Sequence, residues 1–199
     1  MRVNRNKSYL SLPVAAFVLI AASGTAFAEE STLDATLTAN IRETTCDMKL
    51  VGGLGSDTKQ NITVFIPGRS NVFIPLADGQ AGKASATFKL VIVECPESLT
   101  SLKTTINGTA DSRLTTGLAN QIAKAEGGAE YAALEIARSI AIDAPFTIGD
   151  SSETGGLVWT RDEIAQKEVS LTATLRETQS GLMTIGKFTT IATFNFSYE

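Results

Sequence analysis

The sequence predicts an all-β chain folded as an antiparallel sandwich, and three observations carry that prediction. Short runs of β-branched and aromatic residues recur along the chain and alternate with period two. Clusters of Gly, Asn, Asp and Ser separate them at the spacing of turns. The chain also has no internal repeat and no low-complexity linker, so one domain accounts for it.

The first 28 residues stand apart. Arg2, Arg5 and Lys7 form a basic start, Leu10 to Ala22 is an apolar run broken only by Ser11 and Pro13, and Ala26-Phe27-Ala28 gives a small–x–small end. This layout predicts a secretory signal peptide cleaved after Ala28, and the run is short of the roughly 20 residues that span a bilayer. Cleavage takes the net charge from −4 to −7, because three basic residues and no acidic ones leave. No basic stripe remains that would suit nucleic acid.

After the signal, Leu33, Ala35, Leu37, Ala39 and Ile41 form one apolar face, with Asp34, Thr36, Thr38 and Asn40 opposite. That is a strand with one face to bury. Cys46 and Cys95 are the only cysteines. In an oxidising compartment such a pair reads as one disulfide, which would stabilise by about 4 kcal/mol in the chain-entropy model. "NITVFIP" and "NVFIPL" are short strand-like runs ending at proline, and "ATFKLVIVEC" is a longer strand, apolar on both sides at its middle. "LKTTING" alternates weakly and turns at Asn107-Gly108.

The alanine-rich stretch that follows breaks the pattern. Residues 117–126 read as a loop or short helix, since Leu118, Ile122 and Ala125 share a helical stripe that Gly127-Gly128 interrupts. A strand follows around Leu134 and Ile136. "VSLTATLRET" alternates well, and the chain closes on "KFTTIATFNFSYE", with Phe188, Thr190, Ala192, Phe194, Phe196 and Tyr198 on one face. An ending this aromatic needs cover, because termini fray unless something holds them.

Little here suggests an enzyme. With no histidine there is no Ser-His-Asp or Cys-His arrangement, and the carboxylates are scattered as on a solvated face. "VGGLGS" at 51–56 lacks the Gly-Lys-Ser/Thr ending of a phosphate loop and reads as a flexible turn. No cofactor or metal is implied. Trp159 could stack on a sugar in a self-sufficient carbohydrate-binding sandwich, but core packing is the commoner role for a lone tryptophan.

The order of these pieces resembles the type 1-like fimbrial subunits (pilins) of the bacterial chaperone–usher pathway across nearly the whole mature chain. Cys46 follows the N-terminal segment, and Cys95 ends a strand, as in that family. The ending is the most specific part: Gly186, then Ala192-Thr193-Phe194, then Tyr198 one from the end. The resemblance implies an incomplete immunoglobulin-like sandwich over 42–199 that lacks its last strand, with a donor-strand extension over 29–41. Leu33, Ala35, Leu37, Ala39 and Ile41 of one subunit would enter a groove edged by the C-terminal strand of another.

The implied partners are a periplasmic fimbrial chaperone, an outer-membrane usher and neighbouring pilin subunits, with fimbriae on the cell surface as the destination. Gly186, Phe188, Ala192, Thr193, Phe194, Phe196 and Tyr198 would belong to the groove and its motif. One departure stands out. Many donor segments of the family carry glycine where this chain has Ala39.

Overall fold

The computed structural model describes residues 32–42, 46–69, 73–97 and 99–198. The signal peptide, its cleavage point and the first residues of the extension lie outside the described residues. Among the described residues, twelve strands and two short α-helices follow in order. The strands are β1 (Thr32–Arg42), β2 (Asp47–Val51), β3 (Leu54–Gly55), β4 (Lys59–Val64), β5 (Ile74–Pro75), β6 (Ser85–Glu94), β7 (Leu102–Asn107), β8 (Gly117–Ala119), β9 (Ala132–Arg138), β10 (Leu157–Val158), β11 (Glu168–Glu177) and β12 (Gly186–Tyr198). Helix α1 (Leu76–Gln80) follows β5, and α2 (Arg161–Gln166) lies between β10 and β11.

Two sheets hold the strands. One runs β10-β7-β12-β1-β4-β3, with β5 also paired to β1; the other runs β2-β6-β11-β9-β8. Every strand pair is antiparallel except β1 with β12. The two inner faces meet in one core, where Phe88 of β6 and Phe194 of β12 pack with ring centroids 5.8 Å apart.

Alternation in the sequence becomes alternation in burial. In β4, Gln60, Ile62 and Val64 are buried and their neighbours are exposed. β9 is buried on both faces over most of its length, as a strand in the interior of its sheet should be. Cys46, just before β2, is joined to Cys95, just after β6, with Cα atoms 4.4 Å apart, and so ties the ends of two paired strands.

Two stretches differ from the sequence reading. Of "NVFIPL", the described residues 73–76 hold only the two-residue β5, because the chain turns at Pro75 straight into α1. Residues 117–126 hold the short strand β8 and a single 3₁₀ turn at Lys124–Glu126, with no helix on the Leu118–Ile122–Ala125 stripe. Leu118 is instead buried in the core, as one residue of a strand paired to β9.

Candidate functional site

The candidate site is the slot between β12 and β4, and β1 fills it. β1 runs parallel to β12 from Leu33 beside Gly186 to Arg42 beside Asn195. Its other edge runs antiparallel to β4, from Ala35 beside Val64 to Asn40 beside Lys59. Its N-terminal end pairs with β5, Leu33 lying beside Ile74. The main chain of β1 is thus bonded on both sides, and so is that of β12.

All five apolar residues of the extension point into the core. Leu33, Ala35, Leu37 and Ala39 are fully buried, and Ile41 is 8% exposed. Fully burying three large side chains contributes about 5–9 kcal/mol before the cost of ordering the strand is subtracted. Large meets small over the first three of these positions. Leu33 lies beside Gly186, Ala35 beside Phe188, Leu37 beside Thr190, Ala39 beside Ala192 and Ile41 beside Phe194.

Gly186 is where a side chain is forbidden. Its φ is +151°, and an added Cβ would lie 2.6 Å from the Ala129 nitrogen. At the same end, Gly79 of α1 leaves room for Leu33, whose side chain shares that corner with Met183 and Ile74. Thr190, at the middle of the slot, is fully buried, and its Oγ1 has no hydrogen-bond partner.

The first half of β12 gains its second edge from an unexpected source. β7 pairs with β12 only over 193–198. Ahead of that, Asn120 donates from Nδ2 to the carbonyls of Ala129 (2.9 Å) and Lys187 (2.8 Å). Its Oδ1 accepts from the backbone N–H groups of Thr189 (3.0 Å) and Ile122 (3.1 Å). The Gln121 N–H donates to the Thr189 carbonyl at 2.8 Å. Asn120 therefore serves as a strand substitute that holds the groove wall. Nothing in "GLANQIAK" marks it, because the bonds join segments nearly 70 residues apart.

The remaining predicted residues are placed as follows. Phe188, Ala192, Phe194 and Phe196 line the inner face of β12. Thr193 lies on the outer face between Asn40 and Asn107. Tyr198 ends β12 beside Leu102 and packs against the core edge. Cys46 and Cys95 form the link between the ends of β2 and β6.

Trp159 is 4% exposed and donates from Nε1 to Thr104 Oγ1 at 2.9 Å. Its ring is core packing and offers no surface to a sugar.

The sequence model described as fimbrial protein matches residues 35–199. The uncharacterized fimbrial-like protein YadM of Escherichia coli K12 is 29% identical over 164 residues, which cover 81% of this chain and 84% of that protein. Among solved structures, the P pilus rod subunit PapA matches with a TM-score of 0.48 at 14% identity, over 79% of this chain and 95% of the other.

Proposed function

This chain belongs to the fimbrial protein family and is a structural subunit of a fimbria, and we propose that it joins its neighbours by donor-strand exchange. One observation carries the proposal: β1 fills a core slot between β12 and β4, and with the proposed signal peptide removed it would be tethered to its domain only through its C-terminal end. Such a strand can leave without unthreading anything, and a strand from another chain can take its place with the same main-chain bonds. Addition of a strand to an exposed edge is a general mode of protein recognition.

In this reading Leu33, Ala35, Leu37, Ala39 and Ile41 are the donor residues, and the face from Gly186 to Tyr198 is the acceptor. A periplasmic chaperone keeps the slot from aggregating, since an unpaired β12 edge with an aromatic face would recruit other strands. An outer-membrane usher then passes the subunit to its neighbour, and the fibre is displayed on the cell surface. The role is structural and not catalytic. The carbohydrate-module reading has no support from Trp159, which is buried and hydrogen-bonded.

Deleting Glu29 to Asn40 tests the proposal. The shortened chain is expected to be recovered with the chaperone, which uses the slot and not the extension. It should be absent from fibres as a donor, as read by immunolabelling of cells and by mass spectrometry of sheared fibres. Incorporation at the parental level would overturn donor-strand exchange.

A further inference from the structure

A polar cleft of about 230 Å³ lies at the β8 end of the sheet β2-β6-β11-β9-β8. Three segments supply its polar side chains. Asp111 and Arg113 come from the loop before β8, Asn120 and Lys124 from the stretch after it, and Glu130 and Tyr131 from the turn into β9. Pockets for drug-sized ligands run to about 300–1,000 Å³, so this one suits a single ring-sized unit. Walls made mostly of charged and amide groups suit a ligand rich in hydroxyls.

Tyr131 holds a backbone that a bulky residue rarely adopts, with φ +54°. Three hydrogen bonds with the segment between β11 and β12 keep it there. The Glu130 N–H donates to Thr184 Oγ1 at 2.8 Å, the Thr184 N–H to the Glu130 carbonyl at 3.1 Å, and the Thr178 N–H to the Tyr131 carbonyl at 2.9 Å. A strained backbone held this firmly points to a task for its side chain. The ring is half-buried, while the next six residues of β9 are buried. Arg113 lies over it, with Cζ 4.9 Å from the ring centroid, within cation–π reach.

We propose that this cleft binds one carboxylated sugar residue, with Arg113 receiving the carboxylate and Asp111 and Glu130 accepting from ring hydroxyls. Stacking fixes the plane of the Arg113 guanidinium and leaves its N–H edge for a planar, two-oxygen acceptor. Among the described residues that guanidinium has no ion-pair partner. Lys124 is already matched, its Nζ lying 2.7 Å from Glu130 Oε2. Asp111 is fixed by its own loop, where Oδ1 accepts from the Arg113 N–H at 2.8 Å. The four charges cancel, so the cleft suits a ligand with one negative charge. A phosphate dianion would meet two carboxylates, and a neutral sugar would leave the guanidinium unmatched. Glucuronate and sialic acid share the required chemistry. The site is separate from Trp159, which is core, and it does not depend on how subunits are joined. One weak site per subunit gains avidity wherever subunits repeat along a fibre.

The experiment titrates the isotope-labelled mature chain with glucuronate, sialic acid, glucose and acetate, following backbone amide NMR shifts. At least one of the two acidic sugars should shift the amides of Arg113, Asn120 and Tyr131, with a dissociation constant of about 1–10 mM. The tighter of the two identifies the sugar. Glucose and acetate should each bind about tenfold more weakly or less. Arg113→Lys keeps the charge but loses the fork, and should weaken binding about tenfold. Tyr131→Gly suits the left-handed backbone, so the fold should survive while binding weakens by a similar factor. Arg113 is exposed, so its variant keeps the test sound even where the glycine variant fails to fold. Acetate matching the acidic sugars would reduce the cleft to an anion site, and glucose matching them would remove the role of the carboxylate. Either result overturns the proposal. So does parental affinity in Arg113→Lys, or no shift at these amides up to about 50 mM of either acidic sugar, well above a millimolar dissociation constant.

Discussion

Gly186 shows how one position can govern the acceptor strand. Its backbone sits at φ +151°, where side chains are rarely tolerated, and the loop at 127–129 presses against the place a Cβ would occupy. Gly186→Ala should cost about 2–4 kcal/mol, combining backbone strain with overpacking. Urea unfolding of the purified monomer checks this, and a loss below about 0.5 kcal/mol would show that the loop simply yields. The glycine was legible in the sequence as part of the C-terminal motif, but its reason was not. The clash is with residues nearly 60 positions earlier, and only the fold brings them together. Asn120 is the opposite case: an ordinary loop asparagine in sequence, it satisfies four backbone groups along the groove wall.

Helix α2 carries its start signal in the local sequence. Thr160 and Glu163 have the spacing of a capping box, and both reciprocal bonds are made, Glu163 N–H to Thr160 Oγ1 at 3.1 Å and Thr160 N–H to Glu163 Oε2 at 2.8 Å. Glu163 also accepts from Arg138 Nε at 2.8 Å and so pins α2 to the end of β9. Burial pushes the Glu163 carboxyl up, but the Arg138 hydrogen bonds and the Thr160 N–H together outweigh it and hold the group below its ordinary value. A depressed folded value gives stability that is complete above the unfolded pKa of about 4.3 and is lost as pH falls through the lower folded value. Glu163→Gln should therefore lower stability by about 1–2 kcal/mol at pH 7. Thermal melts from pH 7 down to pH 3 should show that gap narrowing in acid. A gap constant with pH would mean that the carboxylate's charge plays no part.

At the scale of the whole molecule, the disulfide and the filled slot are the two devices that complete the fold. Replacing Cys46 and Cys95 together with serine should cost about 4 kcal/mol, from the freedom returned to a 49-residue loop. Urea titration of oxidised parent against the double variant measures it, and equal midpoints would show that the paired β2 and β6 need no tie. Much of the architecture could be read from local pattern. Strict period-two alternation in Leu33–Ile41 and Phe188–Tyr198 marks two half-buried strands whatever the fold, and a cysteine pair in an exported chain marks a bridge. The direction of β1 could not be read, because Leu-Ala-Leu-Ala-Ile carries almost no polarity along its length. Tertiary geometry settles it. The short link from Ile41 to Cys46, with Cys46 held by its disulfide, allows the chain's own strand to lie only parallel to β12. Periodicity is a property of neighbouring residues, whereas strand direction depends on where the chain must go next.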